Sequence, residues 1–238
     1  MKKTLVLARR ELASCFYSPM AYVVGALFLL AAGLWFFHKL FVPGNEASLR
    51  PLFEAMAYIM VFASPLLTMR LLSDEYRSGT IETLMTSPVS DAAIIMGKFL
   101  GVLVFYMILL ASTGVFMALI AIYGQPDPGV AVMGYLGMIL LGAAFLSVGI
   151  FASAVTPHQL VAAIVAIAIL SVMVILMHLL VGYGGEPWNY LAARMDVMSY
   201  FKDFSRGVLD TRAVIFFLSF TGLFLFLSVK TLESRRWR

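Results

Sequence analysis

The chain has 238 residues, of which 62% are hydrophobic and only 13% charged, and its net charge is +4. A soluble domain carries roughly a quarter of its residues as Asp, Glu, Lys or Arg, so a water-covered globule is excluded and most of the surface must meet lipid or protein. The basic residues sit at the boundaries of apolar runs, which argues against nucleic acid as a partner, and one cysteine, Cys15, excludes an intrachain disulfide.

No stretch is long enough for a separate soluble domain, so residues 1–238 are expected to form a single transmembrane domain. Lys2 and Lys3 resemble the start of a signal peptide, but Arg9, Arg10 and Glu11 interrupt the apolar run that would follow. The first apolar helix is therefore expected to stay in the membrane. Within residues 1–18, Leu5, Ala8, Leu12 and Phe16 recur at helical spacing. That pattern fits an amphipathic helix in the headgroup layer; a plain positively charged anchor is the simpler alternative. Ser18 and Pro19 make a cap and first-turn pair for the next helix.

A membrane-crossing helix needs about 20 mainly apolar residues. Six segments qualify: Pro19–Phe37, Leu52–Leu72, Ala92–Tyr123, Val130–Val155, Gln159–Val181 and Ala213–Val229. The third is long enough to tilt or to project beyond the bilayer. The fold class is therefore all-α, a polytopic membrane bundle with an N-terminal interfacial helix. With the N-terminus inside, inner segments carry a net +5 and outer ones −1, as the positive-inside rule asks. Both termini are then cytoplasmic. Trp35, Phe36 and Phe37, and beyond the fifth span Trp188 and Tyr190, supply interfacial rings. The outer loop, 182–212, spaces Leu191, Met195, Met198, Phe201 and Phe204 at intervals of 3 to 4. It reads as one or two short amphipathic helices dipping towards the bilayer.

Charge inside spans marks ion or proton pathways, and here it is scarce. Glu54, Arg70 and Lys98 lie near span ends, where they can snorkel to water. His178 is the only ionisable residue deep in a span apart from tyrosines; it reads as a helix–helix hydrogen-bonding group before a proton relay. His38, His158 and His178 lack second ligands at helical spacing, so no metal or other cofactor is expected. No G-x-S-x-G elbow appears, and Gly97-Lys98 is followed by Phe99 where a phosphate-binding loop needs Ser or Thr. The chain is not expected to be an enzyme; chemical energy would have to come from another subunit.

The most polar internal segment runs from residue 73 to 91. Gly79 can end one helix. Thr80 can cap another, with Glu82 in its positive first turn, and Pro88 ends it. Ser90 can cap the third span, with Asp91 in its first turn. Ile81, Leu84 and Met85 share a face of the short crosswise helix. That face either docks a partner or tucks under the bundle, and the pattern alone does not choose.

Glu75, Gly79, Thr80, Glu82, Leu84 and Pro88, followed by Gly97-Lys98, resemble the first cytoplasmic loop of ABC-2 type transporter permeases. Arg9-Arg10-Glu11-Leu12 and Ser18-Pro19 also look like the start of such a permease. More narrowly, the whole chain is similar to the permease subunit of gliding-motility-associated ABC transporters. The resemblance implies a bacterial inner-membrane exporter subunit, working as two copies or beside a related permease, bound to an ABC ATPase that hydrolyses ATP. Glu75, Gly79, Thr80, Ile81, Glu82, Leu84, Met85 and Pro88 would form the coupling segment, with Glu75 and Glu82 pairing charges on the ATPase. The turn Thr156, Pro157 and His158 would be a second cytoplasmic contact. Membrane lipid, and an external or auxiliary membrane protein, complete the implied partners. The alternative is a mechanotransmitter that passes ATPase-driven motion outward without moving a substrate.

Overall fold

The computed structural model describes residues 2–40, 49–81, 89–123, 127–183, 185 and 194–236. Every element among them is helical: α1 (Lys2–Tyr17), α2 (Pro19–Leu40), α3 (Arg50–Thr68), α4 (Ser73–Arg77), α5 (Asp91–Ser112), α6 (Gly114–Tyr123), α7 (Pro128–Val155), α8 (Gln159–Ser171), a π turn (Val172–Leu176), α9 (Met177–Tyr183), α10 (Val197–Ser205) and α11 (Thr211–Arg236). Six stretches are long and apolar enough to cross a membrane: Pro19–His38, Arg50–Arg77, Asp91–Ile122, Pro128–Val155, Gln159–Gly182 and Thr211–Arg235.

The spans begin and end where local chemistry dictates. The Ser90 hydroxyl accepts from Ala93 N at 3.3 Å and opens α5, with Asp91 in the first turn. Asp127 caps α7 ahead of Pro128, whose missing N–H is harmless there. The third span does not run unbroken as its sequence suggests. It breaks at Thr113, whose hydroxyl turns back to Leu110 O at 2.6 Å, and resumes as α6. The fifth is interrupted by the π turn, which lets extra backbone be absorbed without ending the helix.

Two helices are central and four peripheral. Within their apolar windows α7 is 72% buried and α3 67%, against 28–33% for the spans of α2, α5, α8 and α11. The peripheral spans turn Leu27, Leu30, Leu34, Ile164, Leu218 and Phe226 outward, a surface that only lipid or another apolar chain can cover. α7 earns its central place through small residues, which allow close approach. Phe53 of α3 packs over Gly134, Tyr106 of α5 over Gly142, and Thr68 of α3 over Gly149. Phe204 of α10 packs at Gly137, where a β-carbon would sit 2.6 Å from it. The amphipathic helix expected in 182–212 is thus part of the core. Met198, Phe201 and Phe204 are fully buried, whereas Met195 is exposed; Leu191, Trp188 and Tyr190 lie outside the described residues.

α1 lies along α5 with a face that shares Ala8 and Leu12 with the expected stripe, and Phe16 sets its ring edge-on to Phe105 of α5 at 5.4 Å. Leu5 is 72% exposed and Phe16 39%; the packed stripe is Leu7, Ala8, Glu11, Leu12 and Cys15. The reason is on α5, where Gly97 and Gly101 form a shallow groove. A β-carbon on Gly97 would meet Leu7 Cβ at 2.6 Å, and one on Gly101 would meet Ala8 O at 2.9 Å. Between these glycines stands Lys98, which turns Glu11 inward.

Candidate functional site

The polar contacts of the α1 end of the bundle converge on α4, the first turn of the 73–91 segment. α3 loses its helical course at Thr68, and the turn that follows is held by Ser153 of α7. The Ser153 hydroxyl accepts from Leu72 N at 3.0 Å and Ser73 N at 3.1 Å, and donates to Met69 O at 3.0 Å. The Ser73 hydroxyl in turn donates to Thr156 O at 2.9 Å. The two regions the sequence singled out are therefore joined directly. Asp74 also bonds Gln159, just beyond the Thr156-Pro157-His158 turn.

Further contacts hold α4 on its other sides. Arg70 Nε pairs with Asp74 Oδ2 at 3.0 Å, and its Nη1 donates to the Ser18 hydroxyl between α1 and α2 at 3.0 Å. From α11, Arg235 stacks its guanidinium 4.4 Å from the centre of the Tyr76 ring and donates to Val155 O. Glu75 reaches α5: its Oε1 accepts from Lys98 Nζ at 2.7 Å, while Glu11 Oε2 of α1 lies 3.4 Å from the same nitrogen. Lys98 does not snorkel to water as its position near a span end suggests; its side chain is 6% exposed. The groove that admits α1 closes over the ammonium, and two carboxylates replace the water it loses.

Beyond α4 the chain turns at Gly79, whose φ of +72° lies in the left-handed region that a β-carbon disfavours. Ser78 brackets the turn, bonding Asp74 O at 2.7 Å and the Thr80 hydroxyl at 2.8 Å. Thr80 is exposed. Ile81 is buried and belongs to the main core cluster, so this one of the three apolar side chains tucks under the bundle. Glu82, Leu84, Met85 and Pro88 lie outside the described residues. At the Thr156-Pro157-His158 turn, Thr156 and Pro157 are partly buried and His158 is exposed, its N–H bonded to the Thr156 hydroxyl at 3.2 Å.

α1, α2, α3, α4 and α5 line a half-open cavity of about 200 Å³ beside this joint. Cys15 lines it; burial pushes its thiol up to about 11, Glu11 acting in the same sense and Lys98 opposing. At the α10 end a second polar centre forms around Asp196, which is fully buried. Its carboxylate caps α10 through Met198 N at 3.0 Å, accepts from the Ser199 hydroxyl at 2.6 Å, and lies 3.0 Å from His178 Nδ1. His178 thus ties α9 to α10, the packing role expected of it.

Reasoning from sequence missed Glu11, Ser153 and Asp196 as anchors. Only the first left a usable signal, the Gly97-x-x-x-Gly101 spacing that marks a helix-packing groove. Ser73 and Ser153 are 80 residues apart, and nothing in either neighbourhood announces the other.

Six apolar helices around a glycine-lined centre define a multi-pass membrane protein. Residues 5–227 match the family model described as ABC-2 family transporter protein, and the chain belongs to that family. It is accordingly a membrane permease component of the ABC transporter class, for which an ABC ATPase subunit is the implied partner. The match does not reach the gliding-motility subgroup. A search of curated proteins finds no match.

Proposed function

We propose that this chain is the permease subunit of an ATP-driven exporter in a bacterial inner membrane, with both termini cytoplasmic, coupled to a separate ATPase through the 73–91 segment. The observation that carries the reading is the anchoring of α4. Ser73 and Glu75 tie the root of that segment to α7 and α5 at once, so a displacement of the loop cannot stay local. In this reading the ATPase meets Thr80, Glu82, Leu84, Met85 and Pro88, whereas Glu75, Gly79 and Ile81 set their position from within the chain. The exposed His158 turn, bonded to Ser73 through Thr156, supplies the second contact. Two copies of the permease, or this chain and a related one, complete the assembly.

The test is co-purification with the ATPase encoded beside it, followed by ATP hydrolysis in lipid nanodiscs. Glu82→Lys should leave insertion intact and abolish both complex formation and stimulated hydrolysis. Normal binding and stimulation in that variant would remove the coupling role. Stimulation that requires an added external protein, with no export into vesicles, would favour the motion-transmitting alternative.

A further inference from the structure

α4 is five residues long, and four of them are engaged within the chain. Ser73 is held by Ser153, Asp74 by Arg70 and Gln159, Glu75 by Lys98, and the Tyr76 ring by Arg235. The fifth, Arg77, is exposed and makes no hydrogen bond or ion pair among the described residues. It ends the 28-residue stretch Arg50–Arg77, longer than the ~20 residues a crossing needs, so its guanidinium stands clear of the hydrocarbon. It also directly precedes the turn at Gly79 that leads into the rest of the loop.

The charge left over at this end of the bundle has one sign. Glu11, Asp74, Glu75 and Glu233 each lie within 3.4 Å of a lysine or arginine nitrogen, and Asp91 is buried. Arg9, Arg10 and Arg77 are exposed without a carboxylate partner among the described residues, and Arg235 rests on the Tyr76 ring and Val155 O instead. Of these cations only Arg77 belongs to the 73–91 segment, and it stands on a base fixed at four side chains. Attraction to an anionic headgroup layer needs no fixed base. A bidentate pair between arginine and a protein carboxylate does, because both groups must be held in register.

We propose that the ATPase presents a carboxylate to Arg77, so that its surface opposite α4 is acidic. This rests on the coupling reading above and reverses the sign expected from the sequence, where Glu75 was to pair with the ATPase: Glu75 Oε1 is bound to Lys98 and its Oε2 is buried. Arg235, stacked on Tyr76, adds positive potential at the same place. Glu82 keeps the cationic partner that its own charge requires. Two contacts of opposite sign then fix which way round the loop docks.

The chain is reconstituted in nanodiscs of phosphatidylcholine alone, and binding of the ATPase encoded beside it is titrated between about 50 and 300 mM salt. The wild type should bind more weakly as salt rises. Arg77→Glu should weaken binding on the order of tenfold at the low end and remove most of the salt dependence, with its melting temperature unchanged. Replacing the surface carboxylates of the ATPase by lysine, one at a time, should find one that restores binding to Arg77→Glu. Equal binding by wild type and Arg77→Glu, or a scan that restores nothing, would overturn the proposal and leave the coupling reading standing. An effect of Arg77→Glu seen only in nanodiscs that also contain phosphatidylglycerol would give the arginine to lipid headgroups and overturn it as well. No binding by the wild type at any salt would remove the coupling reading, and this proposal with it.

Discussion

Lys98→Met tests whether the buried ammonium holds α1, α4 and α5 together. The substitution keeps the length of the side chain and removes its charge, so packing in the Gly97–Gly101 groove is disturbed little. What remains is Glu11 and Glu75, 19% and 21% exposed, facing a site from which their cation has gone. Breaking a buried ion pair from one side costs about 3–5 kcal/mol. Because each carboxylate keeps some access to water, the lower end applies, about 3 kcal/mol, or on the order of 10 °C in unfolding midpoint for a chain of this length. Neutralising all three groups, in Lys98→Met with Glu11→Gln and Glu75→Gln, should restore most of that loss, since removing a whole buried cluster is often nearly neutral. The assay is thermal unfolding in nanodiscs followed by tryptophan fluorescence. A single mutant that melts within 2 °C of the wild type, or a triple mutant no more stable than the single, would refute the argument.

Ser153→Ala should cost about 2–4 kcal/mol, because Leu72 N and Ser73 N both lose their acceptor; faster hydrogen exchange at those two amides, absent in Ser153→Thr, is the direct check. Gly142→Val places methyl groups in the space of the Tyr106 ring, which is 1% exposed and bonded to Met138 O at 3.0 Å. Overpacking of this kind costs about 1–3 kcal/mol or more, seen as a lowered melt that Tyr106→Leu should partly relieve. Cys15, at about 11 rather than 9.0, should alkylate about 100-fold more slowly at pH 7.5 than a free thiol, the rate rising roughly tenfold per pH unit. The same shift favours the folded state below pH 9, where both states hold the proton, and that contribution fades as pH rises from 9 to about 11. Alkylation at the rate of an exposed thiol would contradict the burial of Cys15.

The spans, the Ser90 and Asp91 start of α5 and the turn at Gly79 were legible because each is decided within a few residues. Hydropathy over a window fixes a crossing helix, and a hydroxyl or a glycine fixes its end. The rest depended on pairs. The face of α1 followed the groove between Gly97 and Gly101 and the demand of Lys98, which kept Ala8 and Leu12 of its own stripe in the contact and left Leu5 exposed. A helical wheel weighs one helix at a time and has no means of representing a neighbour's missing side chains. Lys98 was misjudged for a related reason. Its distance from the span end allowed snorkelling, and only the arrival of Glu11 and Glu75 from other elements made burial the better solution. The amphipathic helix within 182–212 was readable as amphipathic, but its seat at Gly137 on α7 required the tertiary fold.

In the proposed function that seat would give α7 a role beyond packing. Ser153 and Gly137 are 16 residues apart on one helix, about 24 Å at 1.5 Å per residue. At the first, hydrogen bonds fix the root of the 73–91 segment; at the second, Phe204 and Phe201 press α10 onto the helix. Between them Gly142 and Gly149 are covered by Tyr106 and Thr68. A helix so closely packed on several faces cannot bend or rotate alone, because interiors at this density yield in discrete repackings. In the proposed function, motion imposed at Ser153 would be carried along α7 as a rigid displacement, and α10 would respond at the far end. Export and outward transmission of motion would share this rail. They would differ in what α10 moves: the rim of a pathway in one case and a partner beyond the membrane in the other.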